Sequence, residues 1–152
     1  MDNLTVGEFL KKVKKVFTTV IVHEDENIID IVEKMIENRV ERVVYVINGE
    51  KKLRGIISLG DLTRHYFSEG VYQSKSLFPS AGIINILTAE KAKDIMKTNF
   101  ISVRLSDRLD EILTKMVRYT VLKVVPVLEE EGRVVSSLDI LDIIEYKINA
   151  GE

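Results

Sequence analysis

The residues best suited to chemistry form one short run, Gly55-Ile-Ile-Ser58-Leu-Gly60-Asp61, where a strand-like segment meets a helix-like one. Ser58 and Asp61 have the spacing of a capping box, in which each side chain bonds the other residue's backbone N–H. A helix start also offers unpaired N–H groups and partial positive charge to a phosphate. The carboxylate of Asp61 can accept hydrogen bonds from two hydroxyls of a ribose. Gly60 would let a ligand come close to the backbone. Capping and ligand binding are both open.

The same run recurs because the chain contains an internal repeat. Residues 19–66 align without a gap on residues 100–147, an offset of 81, and ten of the 48 pairs are identical. One identical pair is Asp61 and Asp142, and the second run is Ser136-Ser-Leu-Asp139-Ile-Leu-Asp142. Asp139 and Asp142 repeat the capping spacing. A gap-free register with a matched aspartate favours duplication over chance similarity.

Each copy predicts the order strand, helix, strand, strand, helix. We expect strands at 19–22, 42–47, 53–58, 101–103, 123–128 and 133–138, and helices at 28–36, 61–67, 109–117 and 140–148. Asn48-Gly49 predicts a tight hairpin turn, because both residues tolerate positive φ. The fold class is therefore α/β (α+β). Two βαββα units of this size are marginal alone, so we expect them to pack together about a pseudo-twofold axis.

The repeat also predicts the division of the chain. Residues 1–67 form a first repeat with an N-terminal helix, 68–91 a connector and 92–152 a second repeat. The connector is too apolar for a free linker, so we expect its apolar side chains to pack against the core or against a partner. Thr88 is a candidate N-cap for a short helix through Met96.

Composition excludes several classes of function. The chain has 152 residues, a net charge of −2, two His and no Cys, so thiol catalysis, thiolate zinc sites and iron–sulfur clusters are excluded. It lacks the basic excess typical of nucleic-acid or anionic-membrane binding, and no apolar run approaches the roughly 20 residues that span a bilayer. The acidic turn at 24–26 lacks calcium-loop spacing, so we expect a solvated turn. These features predict a cytoplasmic protein that is not an enzyme and that has no metal site.

The two runs, the repeat itself and the lead-in Lys93-Asp-Ile-Met96 resemble a tandem pair of CBS domains, also called a Bateman module. The resemblance covers nearly the whole chain outside the connector. It implies a stand-alone CBS domain-containing protein whose repeats pack through their sheets, often as a homodimer. It also implies regulatory clefts between the repeats for an adenine nucleotide (AMP, ADP or ATP) or S-adenosylmethionine, with no obligatory cofactor. Such a module would signal to a protein partner in trans.

The resemblance further implies which residues hold the ligand. A first cleft would use Ser58, Gly60, Asp61, Phe100, Ile101 and Lys123. In that cleft Asp61 would bind ribose, Ser58 and Lys123 would reach phosphate, and Phe100 and Ile101 would lie along the base.

A second cleft would use Thr19, Val20, Arg42, Asp139 and Asp142. The family usually has Gly where Ser136 stands and Ser or Thr where Asp139 stands. The extra carboxylate would repel a polyphosphate, so we expect adenosine-like or cationic ligands there, or none. The alternative function is a ligand-free dimerisation or scaffold module that acts through the surface of its connector.

Overall fold

The computed structural model describes residues 3–38, 42–67, 90–118 and 124–151. The helices in these ranges are α1 (Val6–Lys12), α2 (Ile28–Glu37), α3 (Leu59–Tyr66), α4 (Ala92–Ile95), α5 (Leu109–Arg118) and α6 (Ile140–Asn149). The strands are β1 (Val20–His23), β2 (Val43–Ile47), β3 (Leu53–Ser58), β4 (Val103–Arg104), β5 (Val124–Leu128) and β6 (Val134–Asp139). The predicted α/β class and the βαββα order of both repeats are confirmed. Within the described ranges, no helix has the length and apolar character needed to cross a membrane.

The two sheets have the same topology. In the first, β1 pairs parallel to β2 and β2 pairs antiparallel to β3; in the second, β4, β5 and β6 repeat this order. The register shifts in both sheets at the same place, between Val46 and Ile47 and between Val127 and Leu128. The repeat therefore extends to the irregularities of the backbone.

The first hairpin turn differs from the expected two-residue turn. The side-chain oxygen of Asn48 accepts the N–H groups of Glu50 and Lys52, at 2.9 and 3.0 Å. The left-handed residue is Lys51, with φ of 65°, and neither Asn48 nor Gly49 has positive φ. The predicted hairpin turn at Asn48-Gly49 is confirmed, since β2 and β3 pair across it. The expected positive φ at these two residues was wrong, because the asparagine side chain organises a longer loop.

The chain divides into two compact units, one of Thr18–Phe100 and one of Met1–Phe17 with Ile101–Glu152. We call them the first-repeat unit and the second-repeat unit. In each, the apolar face of a helix covers the inner face of the sheet, which accounts for the helical spacing of the apolar residues. The first core includes Ile28, Ile31, Met35, Val44, Val46 and Ile57. The second includes Leu109, Ile112, Met116, Val125, Val127 and Leu138.

The segment before each repeat packs in the unit of the other repeat. The N–H of Ala92, at the start of α4, donates to the carbonyl of Glu26 at 2.9 Å. At the start of α1, Val6 donates in the same way to Asp107 at 2.8 Å. Position along the chain predicts the opposite grouping, with α1 in the first repeat and α4 in the second. Burial explains the observed one, since Val6 and Ala92 are both completely buried in these contacts.

Helix α4 is also shorter than expected. It begins at Ala92, and Lys91 stands at its N-cap. Thr88, the predicted N-cap, and most of the connector lie outside the described residues.

Gly55 is required by the segment that follows α4. A Cβ at Gly55 would lie 2.6 Å from Cγ and Sδ of Met96 and 2.9 Å from the carbonyl oxygen of Lys97. The side chain of Met96 could move, but the carbonyl is held because Lys97 and Ile56 exchange backbone hydrogen bonds of 2.9 and 3.0 Å. Only glycine lets the segment approach the strand this closely.

We expect Gly55→Ala to lower the free energy of unfolding by about 1–3 kcal/mol, the usual cost of overpacking. The matched control is Gly49→Ala, because a Cβ at Gly49 would meet nothing within 4 Å. That control should change stability by no more than about 0.5 kcal/mol. Urea denaturation of both variants checks this, and equal stabilities would show that the segment is not held against β3.

Candidate functional site

The start of α3 is a complete capping box, as its sequence predicts. The hydroxyl oxygen of Ser58 accepts the N–H of Asp61 at 3.1 Å, and Oδ2 of Asp61 accepts the N–H of Ser58 at 2.9 Å. The Ser58 hydroxyl also donates to Oδ2 at 3.0 Å. Both donors from Ser58 therefore converge on one oxygen of the carboxylate.

The second oxygen of Asp61 is held by two cations. Nη2 of Arg64 lies 2.6 Å from Oδ1, and Nζ of Lys97 lies 3.3 Å from it. Only 7% of Asp61 is exposed. Burial raises the pKa of the Asp61 carboxyl, but hydrogen bonds from Ser58, Arg64 and Lys97 outweigh it and hold the pKa below its ordinary value. Asp61 is thus a buried carboxylate that stays ionised at neutral pH.

Neither cation is among the residues that the sequence predicts for this site. Arg64 lies three residues after Asp61 on the same helix, a spacing at which helical side chains meet, so a local signal was present. Lys97 is distant in sequence and arrives only through its backbone bridge to Ile56 on β3. Nothing local in the sequence marks it.

The second repeat builds its helix start differently. Oδ1 of Asp139 accepts the N–H of Leu141 at 2.8 Å, so Asp139 is the N-cap of α6. Oδ2 of Asp142 accepts Nζ of Lys15 at 2.7 Å. The expectation of a second reciprocal box between Asp139 and Asp142 is therefore only half met. A carboxylate at the N-cap offers no proton to its partner, and Asp142 pairs with a lysine from the segment after α1.

Gly60 is not required by the packing of this chain. A Cβ there would lie 3.6 Å from Nη1 of Arg64 and from Oγ of Ser58, which is ordinary contact. The structure thus brings Ser58, Gly60 and Asp61 together at one exposed helix start. Asp139 and Asp142 share the corresponding start of α6.

The other predicted site residues lie on separate elements. Thr19 is buried just before β1, and Val20 begins that strand opposite Val44. Arg42 is exposed, and its carbonyl accepts the N–H of Leu59 at 3.0 Å. Phe100, half-buried, and Ile101, exposed, precede β4, whose predicted first residue was Ile101 and whose observed first residue is Val103. Lys123 lies outside the described residues.

The acidic turn at 24–26 is neutralised by the chain itself. Each carboxylate has its own cation, in the pairs Glu24–Arg54 at 3.6 Å, Asp25–Lys93 at 3.1 Å and Glu26–Lys34 at 2.9 Å. Across the ranges that the structure describes, no group of three or more ligating side chains could hold a metal ion. The turn is thus joined by ion pairs to α2, β3 and α4.

The repeated units and their helix starts identify the class of protein. The family model of the CBS domain matches residues 6–68 and 92–149, and the chain belongs to this family as a tandem CBS pair. Comparison with curated protein sequences found no significant match.

Solved structures have the same fold. A CBS domain-containing protein of Thermotoga maritima is 26% identical, with a TM-score of 0.68 over 98% of this chain and 97% of that one. CBSX2, solved in complex with AMP, is 19% identical, with a TM-score of 0.72 over 99% and 100% of the two chains. The cytosolic domain of the Mg²⁺ channel MgtE, solved with ATP, is 21% identical, with a TM-score of 0.62 over 84% of this chain and 44% of that one.

The lowered pKa of Asp61 predicts how stability depends on pH. Its stabilising effect should be complete above the pKa of an unfolded aspartate and be lost as the pH falls through the lower folded-state pKa. Asp61→Asn should therefore cost about 1–3 kcal/mol at pH 7, because it replaces a buried, hydrogen-bonded carboxylate. The difference from the unchanged protein should shrink below about pH 4.

Urea denaturation between pH 3 and pH 8 measures this difference. Asp30→Asn, an exposed position on α2 of the same unit, is the matched control and should give a small difference at every pH. A cost for Asp61→Asn that stays constant down to pH 3 would contradict a lowered pKa for the Asp61 carboxyl.

Proposed function

We propose that this CBS pair is a regulatory module, without catalysis of its own, that senses an adenosine-containing ligand and signals to a protein partner in trans. The ligand would be AMP, ADP, ATP or S-adenosylmethionine, and no obligatory cofactor is needed. A cytoplasmic location, expected from the sequence, is part of the proposal. The observation that carries it is the buried, ionised Asp61 at an open helix start.

The chemistry of that helix start suits a nucleoside. An ionised carboxylate only accepts hydrogen bonds, and each of its oxygens has about two acceptor positions, so it can accept hydrogen bonds from the two hydroxyls of a ribose diol. The partial positive charge at the start of α3 favours negative charge beside it. The backbone at Gly60 is open to a ligand, because no side chain stands there.

Two of the structural relatives support the choice of ligand. CBSX2 was solved with AMP and the MgtE domain with ATP, and both carry an adenosine group. The roles of Phe100 and Ile101 beside the base and of Lys123 at the phosphate stay proposals that rest on the family resemblance. Single alanine variants at these positions are the means of testing them.

For the second repeat we propose a different ligand preference. Two carboxylates, Asp139 and Asp142, stand at the start of α6, and Lys15 pairs with one of them. A site formed there with Thr19, Val20 and Arg42 would disfavour polyphosphates, because like charges repel. Adenosine-like or cationic ligands remain compatible with it.

A nucleotide sensor should melt at a higher temperature when its ligand is present. A ligand at about 100 times its dissociation constant stabilises the fold by roughly 2.7 kcal/mol. For a chain of this size that is a rise of about 5–10 °C in the melting temperature. We expect this rise with at least one of AMP, ADP, ATP and S-adenosylmethionine, and we expect Asp61→Ala to abolish it.

The matched variants locate the site. Asp30→Ala should keep the full shift, whereas loss of the shift in Asp142→Ala alone would move the ligand to the second repeat. Unchanged melting with all four compounds would contradict adenosine sensing. It would favour the scaffold alternative, with the connector at 68–91 as the next surface to mutate.

We also propose a homodimer, as the family resemblance implies. Helix α6 exposes three apolar side chains at helical spacing, Leu141, Ile144 and Ile148. Light scattering should then give a dimer, and Ile144→Glu should give a monomer whose melting temperature at low concentration is nearly unchanged. Glu145→Gln on the same helix is the control. A monomer at all concentrations of the unchanged protein would contradict the dimer.

A further inference from the structure

The carboxylate of Asp61 is fully used in the protein as it stands. Oδ2 accepts the N–H and the hydroxyl of Ser58, at 2.9 and 3.0 Å, and Oδ1 faces Arg64 and Lys97. A carboxylate has about four acceptor positions, so a ribose diol cannot simply be added to this set. Binding must be an exchange, in which some of the present donors leave.

The two cations are the donors that can leave. The partners on Oδ2 belong to the capping box, so their release would undo the start of α3. The side chains of Arg64 and Lys97 are 65% and 57% exposed, whereas that of Asp61 is 6% exposed. Their long stems can turn toward solvent without any change in the backbone. A diol would therefore take the place of the cations at Oδ1.

The displaced cations then need a new partner. In the described part of the chain, Asp61 is the one carboxylate with which either Arg64 or Lys97 forms an ion pair. A neutral nucleoside would leave both cations unpaired beside it, and a sulfonium would add a third positive charge. A phosphate on the same ligand would accept both, and the planar guanidinium of arginine matches its oxygens well.

We infer that the site at Asp61 selects nucleosides that carry a phosphate over neutral and cationic ones, because Arg64 and Lys97 pass from the carboxylate to that phosphate. This inference rests on the proposed function and adds the ligand class to it. Ser58 keeps the carboxylate in place during the exchange, and the bridge between Lys97 and Ile56 keeps the ammonium within reach.

Calorimetric titration of the full chain with AMP, adenosine and S-adenosylmethionine tests the inference. The unchanged protein should bind AMP at least tenfold more tightly than either other compound, the effect of about one charge-assisted hydrogen bond. In Arg64→Met with Lys97→Met, the preference for AMP over adenosine should fall to about threefold or less. Adenosine should bind this double variant at least as well as it binds the unchanged protein, since its competitors for Oδ1 are gone.

Lys93→Met is the matched control, because Lys93 lies in the same segment but pairs with Asp25. It should keep the full preference for AMP. Should the double variant fail to fold by circular dichroism, Lys97→Gln keeps the backbone bridge and should lower the preference at least threefold.

The outcomes separate this inference from the proposed function. If adenosine binds but AMP has no advantage, or if the variants keep the advantage, the selectivity inference is wrong and adenosine sensing stands. If S-adenosylmethionine binds more tightly than AMP, the charge argument is overturned. If none of the three compounds binds the unchanged protein, the selectivity inference is wrong, and adenosine sensing fails as well if ADP and ATP do not bind either.

Discussion

A buried carboxylate must be hydrogen-bonded, and the first-repeat unit is organised around that requirement at Asp61. Ser58 supplies two donors, which begin α3 directly at the end of β3. Arg64 and Lys97 supply the rest. Lys97 can do so only because the segment after α4 lies against β3, which in turn requires the absence of a side chain at Gly55. The helix start, the docked segment and the strand thus all contribute to holding one buried charge.

In the second-repeat unit, other residues bond the carboxylate at the corresponding helix start. Its aspartate, Asp142, pairs with Lys15, which also comes from the segment before a repeat. Its N-cap is Asp139, a carboxylate in place of the Ser58 hydroxyl. The backbone is duplicated down to the register shifts, but the charge is not. The start of α3 has two cations on one carboxylate, whereas the start of α6 has one cation and two carboxylates. Duplicated folds can in this way carry two different electrostatic environments.

Local patterns explain most of what could be predicted. Helical spacing of apolar residues and runs of β-branched residues placed the ends of the repeat elements within two residues of the observed ones, because burial of one face decides their conformation. The Ser58–Asp61 box was predictable since its partners are three residues apart. The position of the Asn48 turn was predictable too, but its geometry was not, because a side-chain hydrogen bond and a left-handed Lys51 replaced the expected Asn-Gly geometry. The short length of α4 was missed as well.

The sequence by itself determined the repeat, the α/β class, the family resemblance and the candidate carboxylate, since these depend on periodicity and on neighbours along the chain. Only the tertiary structure decided that α1 packs in the second-repeat unit and α4 in the first, and that Lys97 and Lys15 reach Asp61 and Asp142. The physical reason is that these contacts join residues far apart in sequence. Their partners are selected by which buried surface a segment covers, and no local pattern records that selection.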